Sequence, residues 1–270
     1  MVKLGFSVDN HFDVNRIDPD EAARRQAAYL LAHHYGVYVN AGDSFNDFRK
    51  TLAYYHHLQQ LVGPAVQIRF LAGNHDLVKG ISYEDAQRPL DQLYLHEQSL
   101  PVGDNTVIIG NNGWYDYSLA PQDLQQTADF AQWKRAYWID SAIDQPVPDA
   151  ERMQRVFTTT RQALAAGAGK RVIYVTHFVP TPAAMYYSPE HQWWQMATGM
   201  MGSAKLGTML EQAQVAAVVF GHLHRRQAPL KRGVTTYFHQ PMGYGLKRLN
   251  EWATADWFHE WTSTLVTLTA

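Results

Sequence analysis

The chain of 270 residues contains no cysteine. Disulfide bonds and thiolate metal ligands are therefore excluded, and any bound metal ion must be held by nitrogen and oxygen donors. Positive charge is also in short supply, because 23 lysines and arginines stand against 25 acidic residues and give a formal net charge of -2. The basic residues are scattered and form no patch of the kind that binds nucleic acid, so we expect no polynucleotide partner.

Long hydrophobic runs are missing as well. No apolar segment is long enough to span a bilayer, so we expect no membrane partner. The first residues, Met1-Val2-Lys3-Leu4, lead directly into a strand-like run, without the basic region, apolar core and small-residue cleavage site of a signal peptide. These absences predict a cytoplasmic protein. The oligomeric state is left open by the sequence.

Hydrophobic residues make up 46% of the chain, which is enough for a large core, and we expect a single domain over residues 1–270. Short β-type runs alternate with helical patterns, as in α/β proteins. The segment Asp18-Pro19-Asp20-Glu21 combines an N-cap, an early proline and a carboxylate three residues after the cap, which predicts a helix towards Tyr35. Asp47 begins a second predicted helix, which Gly63 ends. Strands are predicted at residues 3–8, 37–40, 66–72, 107–110, 171–176, 215–220, 234–238 and 265–268.

Two segments are predicted from weaker patterns. Ser82 and Asp85 form a capping pair, which predicts a helix towards His96. Residues 183–202 are rich in methionine and aromatic side chains, lack a regular period and are too long for a simple connection. We therefore predict a lid or insertion there, with a dimer contact or a second small core as the alternatives.

Polar side chains that can bind metal follow the predicted strands at the points where these end. Ligands bind at the carboxyl ends of strands in open α/β sheets, so loops distant in sequence are expected to meet there. In His222-Leu223-His224, extended backbone would point both imidazoles to the same side. Two carboxylates, one carboxamide and four imidazoles suit a pair of borderline divalent cations. The predicted metal ligands are Asp9, His11, Asp43, Asn74, His177, His222 and His224.

Each of these motifs is weak when taken alone. A single histidine after a strand is more often an exposed or internally hydrogen-bonded side chain than a metal ligand. The conjunction of all of them at strand ends is what favours a metal site. Trp114 and Tyr115 also follow a predicted strand, so we predict that they contact substrate, with simple packing as the alternative.

The order of these motifs resembles that of the calcineurin-like metallophosphoesterase family. The resemblance implies an α/β fold, a four-layer α/β/β/α sandwich of two mostly mixed β-sheets flanked by helices. It also implies a dinuclear metal centre in which Asp43 bridges the two ions. The shared motifs are Asp9-x-His11, Gly42-Asp43, Gly73-Asn74-His75-Asp76, His177 and Gly221-His222-x-His224. One ion would be held by Asp9, His11, Asp43 and His224, and the other by Asp43, Asn74, His177 and His222.

Three further stretches are similar to a little-characterised bacterial branch of this family. They are Gly42-Asp43-Ser44-Phe45-Asn46-Asp47, Gly113-Trp114-Tyr115-Asp116 and Thr176-His177-Phe178. The resemblance implies a metal-dependent phosphoric ester hydrolase, either a phosphatase or a phosphodiesterase. The expected cofactors are two divalent ions, with manganese, iron and zinc the leading candidates.

Two such ions lower the pKa of a bridging water and neutralise phosphoryl oxygens, so we predict a bridging hydroxide as the nucleophile. The predicted catalytic residues are Asp43 and His75, and Asn74 and His75 are predicted to contact the substrate. We expect a small-molecule phosphate ester, with a phosphodiester or nucleotide ahead of a monoester. The alternatives are a non-catalytic binding or scaffold protein with the same fold, and a metal-dependent hydrolase of another bond.

One position departs from the family pattern. The well-studied phosphatase branch has an aspartate three residues after the bridging one, which orients the histidine next to the metal-binding asparagine. This chain has Asn46 at that position, followed by Asp47. An asparagine can hydrogen-bond the ring of His75 but cannot stabilise an imidazolium by charge. We therefore expect either a preference for good leaving groups or the use of Asp47 or Asp76 as the partner of His75.

Overall fold

A computed structural model describes residues 1–270. Ten strands form two mixed sheets, and ten helices are distributed along the chain between them. The strands are β1 Lys3–Ser7, β2 Val37–Asn40, β3 Gln67–Phe70, β4 Gln98–Val102, β5 Thr106–Gly110, β6 Arg171–Val175, β7 Ala217–Val219, β8 Leu230–Arg232, β9 Thr235–Phe238 and β10 Val266–Thr269. The helices are α1 Pro19–Ala32, α2 Phe48–Val62, α3 Asn74–Leu77, α4 Tyr83–Ala86, α5 Gln122–Thr127, α6 Phe130–Tyr137, α7 Asp149–Ala166, α8 Gln192–Thr198, α9 Ala204–Gln212 and α10 Trp257–Thr264.

The first sheet has the strand order β10-β1-β2-β3 and is parallel except for β10. The second has the order β4-β5-β6-β7-β9-β8, with four parallel central strands and an antiparallel strand at each edge. A buried apolar cluster joins the sheets and includes Phe6 of β1 and Ile173 of β6. Side chains of the opposite faces, such as Tyr38 and Tyr174, belong to a larger cluster shared with the helices. The predicted sandwich of two mixed sheets flanked by helices is confirmed.

Local signals in the sequence position the first two helices. Asp18 Oδ1 accepts a hydrogen bond from Glu21 N at 2.8 Å and caps α1, with Pro19 in the first turn. Asp47 caps α2 by accepting from Arg49 N at 3.0 Å, and Gly63, with φ of 56°, follows its last residue. Caps of this kind contribute about 1 kcal/mol each. Both helix starts lie where the sequence predicts them.

The predicted helix from Ser82 to His96 is wrong. Only the single turn of α4 forms, and the chain then runs along the edge of the first sheet, where Phe70 N donates to Leu93 O and Leu95 N donates to Phe70 O. Pro89 cannot continue a helix, and burial of Leu93 and Leu95 at the sheet outweighs the local capping signal.

Strands β4 and β8 were not predicted from the sequence. Both are edge strands, and β4 carries Pro101 while β8 carries the exposed Lys231 and Arg232. Proline and charged residues are typical of edge strands, and they interrupt the apolar runs from which strands are predicted. None of the helices is long and apolar enough to cross a membrane.

Candidate metal centre

Loops that follow the parallel strands of both sheets meet at one edge of the sandwich. Asp9 N donates to Gly42 O at 3.0 Å, which ties the loop after β1 to the loop after β2. Gly221 N donates to His177 O at 2.9 Å, which ties the loops after β6 and β7 in the second sheet. His177 Nδ1 reaches Ala41 O of the first sheet at 3.0 Å. The structure thereby brings together all seven predicted metal ligands.

Several residues of these loops have left-handed backbone, which is rare outside glycine. The φ angles are 57° at Asp9, 44° at His11, 59° at Asp43 and 71° at His222. Such conformations cost free energy and cluster at functional sites. At His222 the left-handed turn also shows that the extended backbone assumed for His222-Leu223-His224 is wrong, and the two imidazoles join different groups of donors.

The donor atoms form overlapping groups. Asp43 Oδ2 lies 3.6 Å from His11 Nε2 and 3.3 Å from His177 Nε2, so this carboxylate stands between two sets of imidazoles. Asn74 Oδ1 lies 3.2 Å from His177 Nε2. The three groups, each with donor atoms within 4.8 Å of one another, are Asp9, His11 and His224; Asp43, His177 and His222; and His11, Asp43 and His75.

The crowding of these donors fits bound cations. His11 Nε2 and His224 Nε2 face each other at 3.0 Å, a separation that needs a cation or a shared proton between the two rings. Asp9, His11 and Asp43 are buried, and they offer only nitrogen and oxygen donors of the kind that borderline divalent ions prefer. A Cβ atom on Gly73 would stand 2.1 Å from Asp43 Oδ1, so glycine is required for this close approach. The cluster can hold metal ions.

Three of these histidines are each fixed by a hydrogen bond at the ring nitrogen that points away from the cluster. His177 Nδ1 donates to the Ala41 carbonyl, and His222 Nε2 donates to the Met200 carbonyl at 3.2 Å. His224 Nδ1 lies 3.0 Å from the carboxylate of Glu251. Outer partners of this kind set the tautomer and orientation of metal-binding imidazoles.

Burial disfavours charge throughout the centre, and opposite charges overcome it at several positions. Burial acts to lower the pKa of His177, but the Asp43 carboxylate and its neighbours raise it to about 9. Burial is likewise outweighed at His224, where hydrogen bonds to Asp9 and Glu251 raise the pKa to about 10. Burial acts to raise the pKa of Asp43, and the adjacent histidines hold it well below its usual range. Protonated histidines therefore balance the charge of the ionised carboxylates where divalent ions would do so, and metal binding would displace those protons.

Asn74 is oriented by an aspartate that no sequence motif indicated. Asn74 Nδ2 donates to Asp140 Oδ1 at 2.7 Å, which leaves its carbonyl oxygen facing His177. Asp140 also accepts from Trp138 Nε1 at 3.2 Å, and burial raises the pKa of Asp140 to about 6. Asp140 lies in a single 3-10 turn, Ile139–Ala142, and Glu251 lies in an irregular segment, so sequence periodicity gave no signal for either.

The imidazole of His75 is held by Asn46. Its Nδ1 lies 2.7 Å from Asn46 Oδ1 and must carry the hydrogen, since an amide oxygen only accepts. Its Nε2 lies 3.3 Å from the hydroxyl of Tyr244, a residue that the sequence did not indicate. The expectation of Asp47 or Asp76 as the partner is wrong. Asp47 caps α2, and Asp76 accepts backbone hydrogen bonds from Asp43, Ser44, Phe45 and Gly73.

Trp114 and Tyr115 lie under the pocket and not in its lining. Both are fully buried, and Trp114 Nε1 donates to Asp149 at 2.8 Å while the Arg152 guanidinium stacks 3.5 Å from its ring centroid. This placement favours the packing alternative over substrate contact.

A pocket of about 670 Å³ opens above the centre. Its floor contains five of the polar residues described above: Asp43, Asn74, His75, His222 and His224. The remaining lining is almost entirely apolar and comprises Tyr137, Trp138, Ile139, Trp193, Trp194, Met201, Leu223, Tyr244 and Leu249, with Glu251 beside them. This floor can hold a phosphoryl group against metal ions while the rest of a ligand lies along the apolar side.

Several solved structures share this fold at low sequence identity. Phosphopantetheinyl hydrolase (PptH) from Mycobacterium tuberculosis is 16% identical, with a TM-score of 0.69 over 98% of this chain and 95% of that chain. The protein TT1561 of Thermus thermophilus is 10% identical, with a TM-score of 0.53 over 89% of each chain. GAP50, described as the anchor in the inner membrane complex of Plasmodium, is 11% identical, with a TM-score of 0.50 over 90% of this chain and 72% of that chain.

These identities show a likeness of fold alone, and a search of curated proteins found no match. The family model described as calcineurin-like phosphoesterase matches residues 9–226. The matched region begins at Asp9, the first candidate ligand, and extends past His224, the last. The chain therefore belongs to the calcineurin-like phosphoesterase family.

Proposed function

We propose that this protein is a metal-dependent phosphoric ester hydrolase that acts on small phosphodiesters. The observation that carries the proposal is the position of Asp43 Oδ2, 3.6 Å from His11 Nε2 and 3.3 Å from His177 Nε2. A carboxylate in that position can serve two ions at once. A pair of divalent ions supplies a hydroxide nucleophile at neutral pH and neutralises phosphoryl oxygens.

The residues of the chain would then have distinct roles. Asp9, His11, Asp43 and His224 would hold one ion, and Asp43, Asn74, His177 and His222 the other. The ring of His75 points its Nε2 into the pocket beside Tyr244, where it can contact a phosphoryl oxygen or the departing ester oxygen. Asn46 holds that ring in place without adding charge.

The preference for diesters is supported by the shape of the pocket. A monoester needs room for one organic group beside the phosphoryl group, whereas a diester needs room for two. The pocket continues from the floor along Trp138 and Trp193 and provides space for a second group. The Mycobacterium tuberculosis neighbour is named as a phosphopantetheinyl hydrolase, so phosphopantetheinyl esters belong in the substrate screen.

The test is hydrolysis of bis(p-nitrophenyl) phosphate and p-nitrophenyl phosphate by protein loaded separately with manganese, iron and zinc. We expect turnover of both, a larger kcat/KM for the diester, and loss of activity on chelation. Turnover of neither ester with any metal would refute the hydrolase. A larger kcat/KM for the monoester would refute the diester preference alone.

A scaffold protein is the second candidate, and the Plasmodium neighbour described as an anchor has this fold. A scaffold would have no use for seven converging metal donors. Elemental analysis of the purified protein separates the two possibilities: close to two metal ions per chain supports the hydrolase, and none supports the scaffold.

A further inference from the structure

Beyond the metal-binding floor, one side of the pocket is built from large apolar side chains. We call this side the aromatic wall and define it by Tyr137, Trp138, Ile139, Trp193 and Leu249. Tyr137 is 66% exposed and Trp193 is 53% exposed. Contiguous exposed apolar groups that line a pocket are typical of ligand contacts.

The two indole rings of the aromatic wall, Trp138 and Trp193, lie against each other and against Trp133 of α6, which is outside the pocket lining. The ring of Trp193 lies 5.4 Å from that of Trp133 and 5.7 Å from that of Trp138, at tilted angles. These separations are in the range of favourable aromatic contacts. The rings come from α6, from the segment after it and from α8, so distant parts of the chain build one apolar surface.

The lining of the pocket offers no basic side chain outside the histidines of the floor. None of its fifteen residues is a lysine or arginine, and its acidic members are Asp43 and Glu251. A second phosphate or a carboxylate on the substrate would therefore find no cationic partner on the aromatic wall. This lining favours an uncharged group.

The aromatic wall is held at a fixed position relative to the floor. Trp138 Nε1 donates to Asp140 Oδ2 at 3.2 Å, and the other oxygen of Asp140 accepts from Asn74 at 2.7 Å. Helix α6 is anchored from below, because Lys134 Nζ lies 2.7 Å from both carboxylate oxygens of Asp149. The apolar surface therefore has a fixed position for contact with an organic group attached to a phosphate on the floor.

We propose that the aromatic wall binds the non-reacting ester group of the phosphodiester and selects for an uncharged aromatic or apolar group. This inference rests on the proposed hydrolase function and names the substrate class of that same site. It excludes phosphodiesters whose second ester group carries a further negative charge as preferred substrates.

Three esters with the same p-nitrophenolate leaving group test the selection. They are phenyl p-nitrophenyl phosphate, methyl p-nitrophenyl phosphate and 4-carboxyphenyl p-nitrophenyl phosphate. Aromatic contact predicts a kcat/KM for the phenyl ester roughly tenfold above that for the methyl ester. The difference should lie in KM, because the wall contacts a group that does not change during the reaction. The carboxyphenyl ester should lose this advantage.

The variant Trp193→Ala removes an exposed ring of the wall and should bring the phenyl-to-methyl ratio close to one. Tyr186→Ala is the matched control: Tyr186 lies seven positions before Trp193, is 47% exposed and does not line this pocket. The control should keep both the activity and the ratio. Binding of diphenyl phosphate and dimethyl phosphate to metal-loaded protein, followed by tryptophan fluorescence, gives a readout independent of turnover.

Hydrolysis of all three esters with equal kcat/KM would overturn the inference and leave the hydrolase intact. An unchanged phenyl-to-methyl ratio in Trp193→Ala would also overturn the inference and leave the hydrolase intact. That result is expected if the wall serves only as a contact surface for another protein. Absence of turnover on every ester refutes the proposed function and this inference together. Quenching by diphenyl phosphate in preference to dimethyl phosphate, lost in Trp193→Ala, supports the inference.

Discussion

The floor and the aromatic wall of the pocket are built in opposite ways. The floor consists of charged and polar side chains that follow strand ends, with Asp43 and Asn74 buried and with left-handed backbone at Asp43 and His222. The wall consists of partly exposed apolar side chains, including Trp193, on short helices and connecting segments. In the proposed hydrolase the contrast would separate two tasks: the strand ends would fix the chemistry, and the connections would decide which ester groups are accepted.

The largest effect is expected at the centre of the floor. Asp43→Asn keeps the shape of the side chain and removes the charge shared between His11 and His177. We expect kcat/KM to fall by at least about 10²–10³-fold, the loss typical of removing one strong electrostatic partner. Metal content should fall with it, as measured by elemental analysis beside the kinetic assay.

Asp47→Asn is the matched control for that variant. Asp47 lies four residues further on, caps α2 and belongs to none of the donor groups. It should keep the bound metal and lose at most about 1–2 kcal/mol of stability. Equal activity losses in the two variants would mean that Asp43 acts through folding alone.

Asp140→Ala tests the hydrogen bonds that connect the floor to the aromatic wall. The substitution removes the acceptor for both Asn74 and Trp138. Loss of an outer-shell partner costs about 10–100-fold in metal affinity or activity, and we expect a loss in that range. The preference for the phenyl ester should fall as well, because Trp138 is released. Asp144→Ala, in the same segment but bonded only to Tyr83 N, should change neither property.

Lys134→Met tests the anchor of the wall and should leave the floor intact. Burial acts to raise the pKa of Asp149, but its hydrogen bonds with Lys134 outweigh burial and lower it. The carboxylate therefore stabilises the fold above the unfolded pKa of 3.8, and this contribution is lost as the pH falls below that value. At pH 7 the variant should lose about 1.5 kcal/mol of unfolding free energy.

Urea unfolding of wild type and Lys134→Met at pH 7 and at about pH 2.5 measures this effect. The difference between the two proteins should shrink at the lower pH. A difference that is the same at both pH values would show that the lysine stem, and not its pairing with Asp149, supports α6.

The floor was largely predictable from the sequence, and the wall was not. Strands such as β1 and β6 are apolar runs with polar residues directly after them, so both the elements and the candidate ligands stand out in the sequence. The seven predicted ligands do converge in the structure. Glu251 and Asp140 were not predicted because Glu251 reaches the centre from an irregular segment and Asp140 from a single 3-10 turn, whose positions depend on tertiary packing.

Aromatic residues near the pocket show why sequence patterns alone did not predict the wall. Trp114 and Tyr115 follow β5 as the metal ligands follow their own strands, yet both are buried, Trp114 against Arg152 of α7 and Tyr115 against Trp114. Trp133 and Trp193, sixty positions apart, share one apolar surface. Hydrophobicity in the sequence cannot tell a side chain that faces a core from one that faces a pocket.

The smallest predicted effect concerns His75, the floor residue proposed to contact the departing ester oxygen. Asn46→Asp would place a carboxylate 2.7 Å from His75 Nδ1 in place of the neutral amide oxygen. The added charge would favour an imidazolium that can protonate a departing oxygen. We expect less than about a tenfold gain in kcat/KM for methyl phenyl phosphate. Methyl p-nitrophenyl phosphate should gain nothing, because p-nitrophenolate leaves without a proton. An equal change for both esters would show that His75 binds the phosphoryl group and does not assist the leaving oxygen.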